Sequence, residues 1–218
     1  MPTLKSILLK IRKELEEREK VRESSQDKER KATRLAKQAI LLMHQKKVKE
    51  AEKLIENAKE LVQELYEASR AHPEIVHSGM FSAALQEYSE ANIFFRLVER
   101  SEFVTPHEIG VPSADYILGL ADVIGEYRRL TLDALREGDA EKGEKCLRMM
   151  DEIYTELMAL DEAYMLVSGL RRKCDVARKI IEITRGDVTQ EIRRSSLEKQ
   201  LEHFERSMKN KSQDNRAC

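Results

Sequence analysis

From Thr3 to about Gln45 the chain has no glycine and no proline, and apolar residues recur at helical spacing at both ends of that run. Its middle, Lys13 to Arg34, is almost all charge. A helix that is polar all round bridges solvent or faces a polar partner. Ser24 or Ser25, with Glu29 nearby, offers a cap for a second helix, but one long or gently bent helix fits the run better. Ala51, Leu54, Ile55, Ala58, Leu61, Val62 and Leu65 then repeat at three and four, which predicts a helix from Val48 to about Arg70. Pro73 disfavours helix at His72 and ends it. Further helices are predicted from Ser78 to Arg100, Ala114 to Arg136, Asp139 to Ser168 or Gly169, and Leu170 to a stop at Gly186. A last amphipathic segment runs from Val188 to about Lys209. "SEFVTPHEIGVPSAD" is the main loop.

No segment alternates with the period of a strand. The fold class expected is therefore all-α: one domain over residues 1–209, built as a bundle of six or seven antiparallel helices, with a polar, disordered tail at 210–218. Composition agrees, with 36% charged residues, 8 Gly and 4 Pro among 218 residues.

Charge narrows the function. With 39 basic against 40 acidic residues the net charge is −1, so any polyanion site must arise from local segregation. Three widely spaced cysteines (Cys146, Cys174, Cys218) form no CxxC pair and fit reduced thiols in a cytoplasmic protein. No apolar run approaches the roughly 20 residues of a membrane span.

The third predicted helix poses the sharpest question. In "LQEYSEANIFF" Glu87 and Glu90 lie within or at the edge of a broad apolar sector. An unpaired buried carboxylate is costly, so a base, a proton or a metal ion must compensate. In "ADYILGLADVIGEYRRL" Asp122 and Glu126 share a face at i, i+4, with Asp115 and Gly119 on the same stripe. If these two helices pack together, four carboxylates converge, and oxygen-only ligands suit Mg²⁺ or Mn²⁺. The plain alternative is a solvated acidic stripe, with the glutamates paired to Arg or Lys. A ferritin-like di-iron site is excluded, because the histidines supply no Glu-x-x-His pair.

"LQEYSEA", then "DYILGLADVIGE", "LREGD" and "ITRGD" together resemble the translin family, and within it the TRAX branch, over most of the chain. The resemblance implies a helical bundle that assembles into octamer-like shells around an RNA-binding cavity. It also implies a Mg²⁺-dependent endoribonuclease whose acidic residues map onto Glu87, Glu90, Asp122 and Glu126. The expected partners are RNA, mainly single-stranded, and either further copies of this chain or a translin-like subunit. A non-catalytic nucleic-acid-binding shell, as translin is described, is the alternative, and a helical scaffold with no nucleic-acid role is a third reading.

Phosphate contacts are expected on the first helix, where Arg30, Arg34 and Lys37 share a face at i, i+4, i+7. Arg128 and Arg129 adjoin the acidic stripe, placed either to hold the scissile phosphate or to pair with carboxylates.

Overall fold

Helix α1 (Leu4–His44) is unbroken in the computed structural model, which describes residues 3–75, 78–160 and 163–214. Thr3 caps it, its hydroxyl accepting from the Ser6 amide. Neither Ser24 nor Ser25 interrupts it. Ser25 is buried instead, together with Glu29, Ala32, Ala36, Ala39, Ile40 and Met43. These positions step by three and four, so the C-terminal half of α1 has a packed face and the N-terminal half none. Ala32, Ala36 and Ala39 have no exposed surface, and side chains this small let neighbouring helices come close.

The remaining elements are α2 (Val48–Ala71), a 3₁₀ turn (Pro73–Ile75), α3 (Gly79–Arg100), a short α4 (Pro106–Ile109), α5 (Ser113–Arg136), α6 (Ala140–Met158), a short α7 (Ala163–Leu166) and α8 (Leu170–Asp214). Among the described residues there is no strand, so the all-α expectation holds. Two helix starts carry side-chain caps. The Ser78 hydroxyl accepts from the Phe81 amide at the start of α3, and Asp139 accepts from the Lys142 amide at the start of α6. The loop after α3 is more ordered than its composition predicts. Thr105 and Glu108 form a reciprocal capping box around α4.

Two boundaries differ from expectation. Helix α6 ends at Met158, about a turn and a half into the "YTELMALDEAY" stretch that was read as continuous. Gly186 does not stop a helix: α8 passes through it to Asp214. A helical glycine costs only about 1 kcal/mol, and flanking packing by Thr184 and Val188, both buried, outweighs that.

The chain falls into two compact units, residues 1–123 and 124–218, with α5 running through the boundary. In the first, α1 packs along both α2 and α3. Its core holds Leu65, Phe81, Leu85, Tyr88, Ile93 and Phe94, each at most 2% exposed. Tyr66 meets Phe81 edge to face with centroids 5.2 Å apart, and the His44 ring lies 5.2 Å from that of Phe94. In the second unit α6 packs on α8, with Met150, Ile153, Leu157, Leu170 and Ile181 buried. Cys146 and Cys174 are free, buried thiols there.

The contact that positions the site is the crossing of α3 and α5. A Cβ on Gly119 would lie 2.7 Å from the Gln86 carbonyl oxygen, 2.7 Å from Ser89 Cβ and 2.9 Å from the Glu90 nitrogen. Only glycine lets the α5 backbone press against α3 here. One turn earlier the same face is fastened by Asp115, which accepts from the Ser82 hydroxyl at 2.5 Å and from Gln86 Nε2 at 3.4 Å. Asp115 is buried, so this part of the stripe faces a helix and not solvent.

A second polar tie joins α1 to the start of α3. Ser78 donates to Glu29 Oε1 at 2.9 Å, and Glu29 is 1% exposed. Burial raises the Glu29 carboxyl above the ordinary value of 4.5, opposed by the Ser78 hydroxyl and the Arg30 charge.

Gly119→Ala is expected to cost roughly 3 kcal/mol, because two of the three colliding atoms are backbone. For a chain of this size that is a fall of roughly 6–12 °C in melting temperature. A variant melting with the parent would show that the crossing is loose.

Glu29 also gives a pH signature. A folded-state value above the unfolded one means the native chain binds this proton more tightly. Its contribution is full below the unfolded value and is lost as pH rises through the folded one. Comparing thermal melts, Glu29→Gln should gain on the parent as pH rises from about 4 to about 7. A difference independent of pH would show that Glu29 is not destabilised by burial.

Candidate nucleic-acid and metal site

The basic residues of α1 lie along one stripe of the helix. Arg30, Arg34 and Lys37 are all exposed and line one side of an open groove of about 560 Å³, with Leu41 in its wall and Met80 and Ala83 of α3 opposite. Apolar walls and a cationic edge suit a chain with a charged backbone. Among the described residues Arg34 has no acidic partner, and Arg30 donates to the Gln26 side chain at 3.4 Å while its charge also acts on Glu29. These guanidinium groups are therefore open to an anion.

Lys37 is engaged differently. Its ammonium lies 3.0 Å from Glu87 Oε1 on α3. The basic stripe of α1 thus ends on the acidic stripe of α3. Lys37 is 61% exposed, so this pair contributes at most about 1 kcal/mol and exchanges readily with solvent or ligand.

Glu90 lies one helical step further and is buried, 7% exposed. Its backbone nitrogen is one of the atoms crowded by Gly119. Asp122, three residues after Gly119 on the same side of α5, is half-buried. The Gly119 crossing therefore brings the α5 segment that carries Asp122 against the α3 segment that carries Glu90. Glu126 follows Asp122 by one turn on α5, beyond the boundary between the units, and is half-buried.

For a metal ion the test is mixed. The donor chemistry fits, since the residues offer only carboxylate oxygens, the ligands that Mg²⁺ and Mn²⁺ prefer. The side chains are not yet gathered: among the described residues no three His, Cys, Asp or Glu side chains form a metal-holding group. Glu87 is instead turned toward Lys37.

Arg128 and Arg129 take separate roles. Arg128 donates from Nη1 to Thr184 Oγ1 at 2.6 Å and lies 3.5 Å from Asp187 Oδ2, so it fastens α5 to α8 in the second unit. It does pair with a carboxylate, but with one that the acidic stripe does not contain. Arg129 is exposed.

One residue escaped the sequence reading. Glu29 sits in the stretch read as charged on all sides, yet it is the most buried acid among the described residues. A signal exists: counting back from Met43 by three and four through Ala39, Ala36 and Ala32 reaches Glu29 and then Ser25.

The profile of the translin family matches residues 16–183. An uncharacterised protein of Methanocaldococcus jannaschii is 35% identical over 134 residues, 61% of this chain and 59% of that protein. The matched stretch thus spans less than two-thirds of that relative. Among solved structures, AfC3PO in complex with duplex RNA superposes with a TM-score of 0.74 at 37% identity, covering 84% of this chain and 95% of that one. AfC3PO alone superposes at 0.75 with 38% identity, covering 84% and 96%. Apo-NeC3PO, at 24% identity and a TM-score of 0.75, covers the same shares and shares the fold. With a family profile spanning most of its length, this chain belongs to the translin family.

Proposed function

We propose that this protein is an RNA-binding endoribonuclease of the TRAX type, dependent on Mg²⁺ or Mn²⁺ and acting within an oligomer. The observation that carries the proposal is the Lys37–Glu87 contact, where a phosphate-binding stripe abuts an acidic one. Binding and chemistry on one phosphodiester need that adjacency. The complex of the related AfC3PO with duplex RNA supports RNA as the ligand class.

Arg30 and Arg34 would hold phosphates flanking the cut, their guanidinium groups matching phosphate geometry. A phosphate entering the groove competes for Lys37, and Glu87 is then freed from that ion pair. Glu87, Glu90 and Asp122, all in the first unit, would supply ligands. These residues would hold a divalent ion, which would supply polarisation of the attacking water and compensation of charge on the leaving oxygen. A carboxylate of the set that does not ligate can take the proton of the attacking water. Arg129, exposed on α5, remains a candidate phosphate contact, whereas Arg128 would first have to leave Thr184 and Asp187.

Self-association has its own support. Leu4, Leu8, Leu9 and Leu15 of α1 are each more than half exposed, an apolar surface that one chain leaves in water. Further copies, in an octamer-like shell, or a translin-like subunit would cover it.

A second reading, a non-catalytic RNA-binding protein, is favoured by one observation: three carboxylates are not gathered among the described residues. A two-armed experiment separates the readings. Labelled single-stranded and duplex RNA are incubated with Mg²⁺ or EDTA, using the parent, Glu90→Ala and Asp122→Ala. The catalytic reading expects cleavage by the parent only with Mg²⁺, a loss of at least about 100-fold in either variant, and unchanged or tighter binding. Cleavage surviving EDTA, or variants cutting at the parental rate, would overturn it. In the binding arm, replacing Arg30, Arg34 and Lys37 together should lower the salt-dependence slope by about two to three. An unchanged slope would move the RNA off this face.

A further inference from the structure

Two rows of apolar side chains stay in water, and their spacing matches. Near the start of α1, Leu4, Leu8, Ile11 and Leu15 step by four, three and four and are 45–72% exposed. Near the end of α8, Leu197, Leu201, Phe204 and Met208 take the same steps and are 51–62% exposed. Four-three-four is the seam of a coiled coil, whose members fill holes on a facing helix. Each seam runs for about 17 Å. Both lie outside residues 16–183, so neither belongs to the part of this chain that matches the translin family.

The flanking charges choose the partner. On α1 the residues directly after Leu4 and Ile11 are Lys5 and Arg12. On α8 those directly after Leu197 and Phe204 are Glu198 and Glu205. When two seams run antiparallel, residues in this position flank the seam on the same side and face each other. Lys5 then meets Glu205, and Arg12 meets Glu198. A parallel pair would instead set Arg12 toward Gln200 and Glu205 toward Ile7. Two α1 seams run antiparallel would face cation with cation, and two α8 seams anion with anion. The ion pairs to be exchanged are weak: Arg12 with Glu16 at 2.7 Å and Arg194 with Glu198 at 3.9 Å, every side chain more than half exposed.

We propose that the apolar row of α1 is covered by that of α8 from a second copy of this chain, antiparallel, with Leu8 against Phe204. This rests on the self-association reading above and names the segments that meet. In that register Leu4 packs on Met208, Ile11 on Leu201 and Leu15 on Leu197. A single seam this short is marginal between free chains. Copies already gathered in an oligomer present it at an effective concentration on the order of millimolar.

Cysteine cross-linking tests the pairing on the full chain, with Cys218→Ser to remove the C-terminal thiol, since Cys146 and Cys174 are buried. The Leu8→Cys chain, carrying a tag that changes its size, is co-expressed with the Phe204→Cys chain and oxidised. A mixed dimer is expected on a denaturing gel without reductant. Its yield should be at least about fivefold that obtained with Leu197→Cys in place of Phe204→Cys, a position about 10 Å along the helix. Arg12→Glu in the first chain should cut the yield about fivefold, and Glu198→Arg in the second should restore it. No mixed dimer, equal yields in both registers, or a majority of like-with-like dimers would overturn the proposal. So would a cross-link that closes within one chain when both cysteines are placed on it. In each of these cases sedimentation above the mass of one chain would leave self-association standing. Sedimentation at the mass of one chain would remove that reading, and this one with it.

Discussion

The missing side chain at Gly119 is the constraint on which the rest depends. Two helices normally stay 8–10 Å apart because side chains separate them. Here α5 meets the backbone of α3 at Gln86 and Glu90 directly. The acidic positions on either side of this crossing inherit their places from it. Asp115 is drawn in to accept from Ser82, Glu90 is buried, and Asp122 is carried to the same flank. Without that approach the two stripes would be separate solvated faces.

Helix α1 solves a different problem. It must pack on two helices and still present cations. It does so by giving the core three alanines at its centre, which need little width, and keeping arginine and lysine on the opposite turns. Glu29 is the charged residue on the packed face, and Ser78 ties it to the start of α3.

Much of this was legible in the sequence. Three-and-four spacing located α1, α2, α3 and α5, because those helices bury one face against neighbours. The basic row was legible because three cations at i, i+4, i+7 must share a side of a helix. What was not legible depends on partners distant in sequence. Gly186 reads as a stop, and only packing around Thr184 and Val188 carries α8 through it. Arg128 reads as a neighbour of the acids, but its reach is decided by Thr184 and Asp187 on α8. Gly119 was visible as a member of the acidic stripe, yet its contact with α3 requires knowing which helix lies opposite.

The central claim is that α3 and α5 are held together so that their carboxylates bind one ion. Crystals grown with Mn²⁺ and measured at the manganese absorption edge test it without any assay of activity. The account predicts an anomalous peak bonded to carboxylate oxygens of both Glu90 and Asp122, with Glu87 turned away from Lys37. A saturating Mn²⁺ concentration that leaves no peak between those two residues would contradict it.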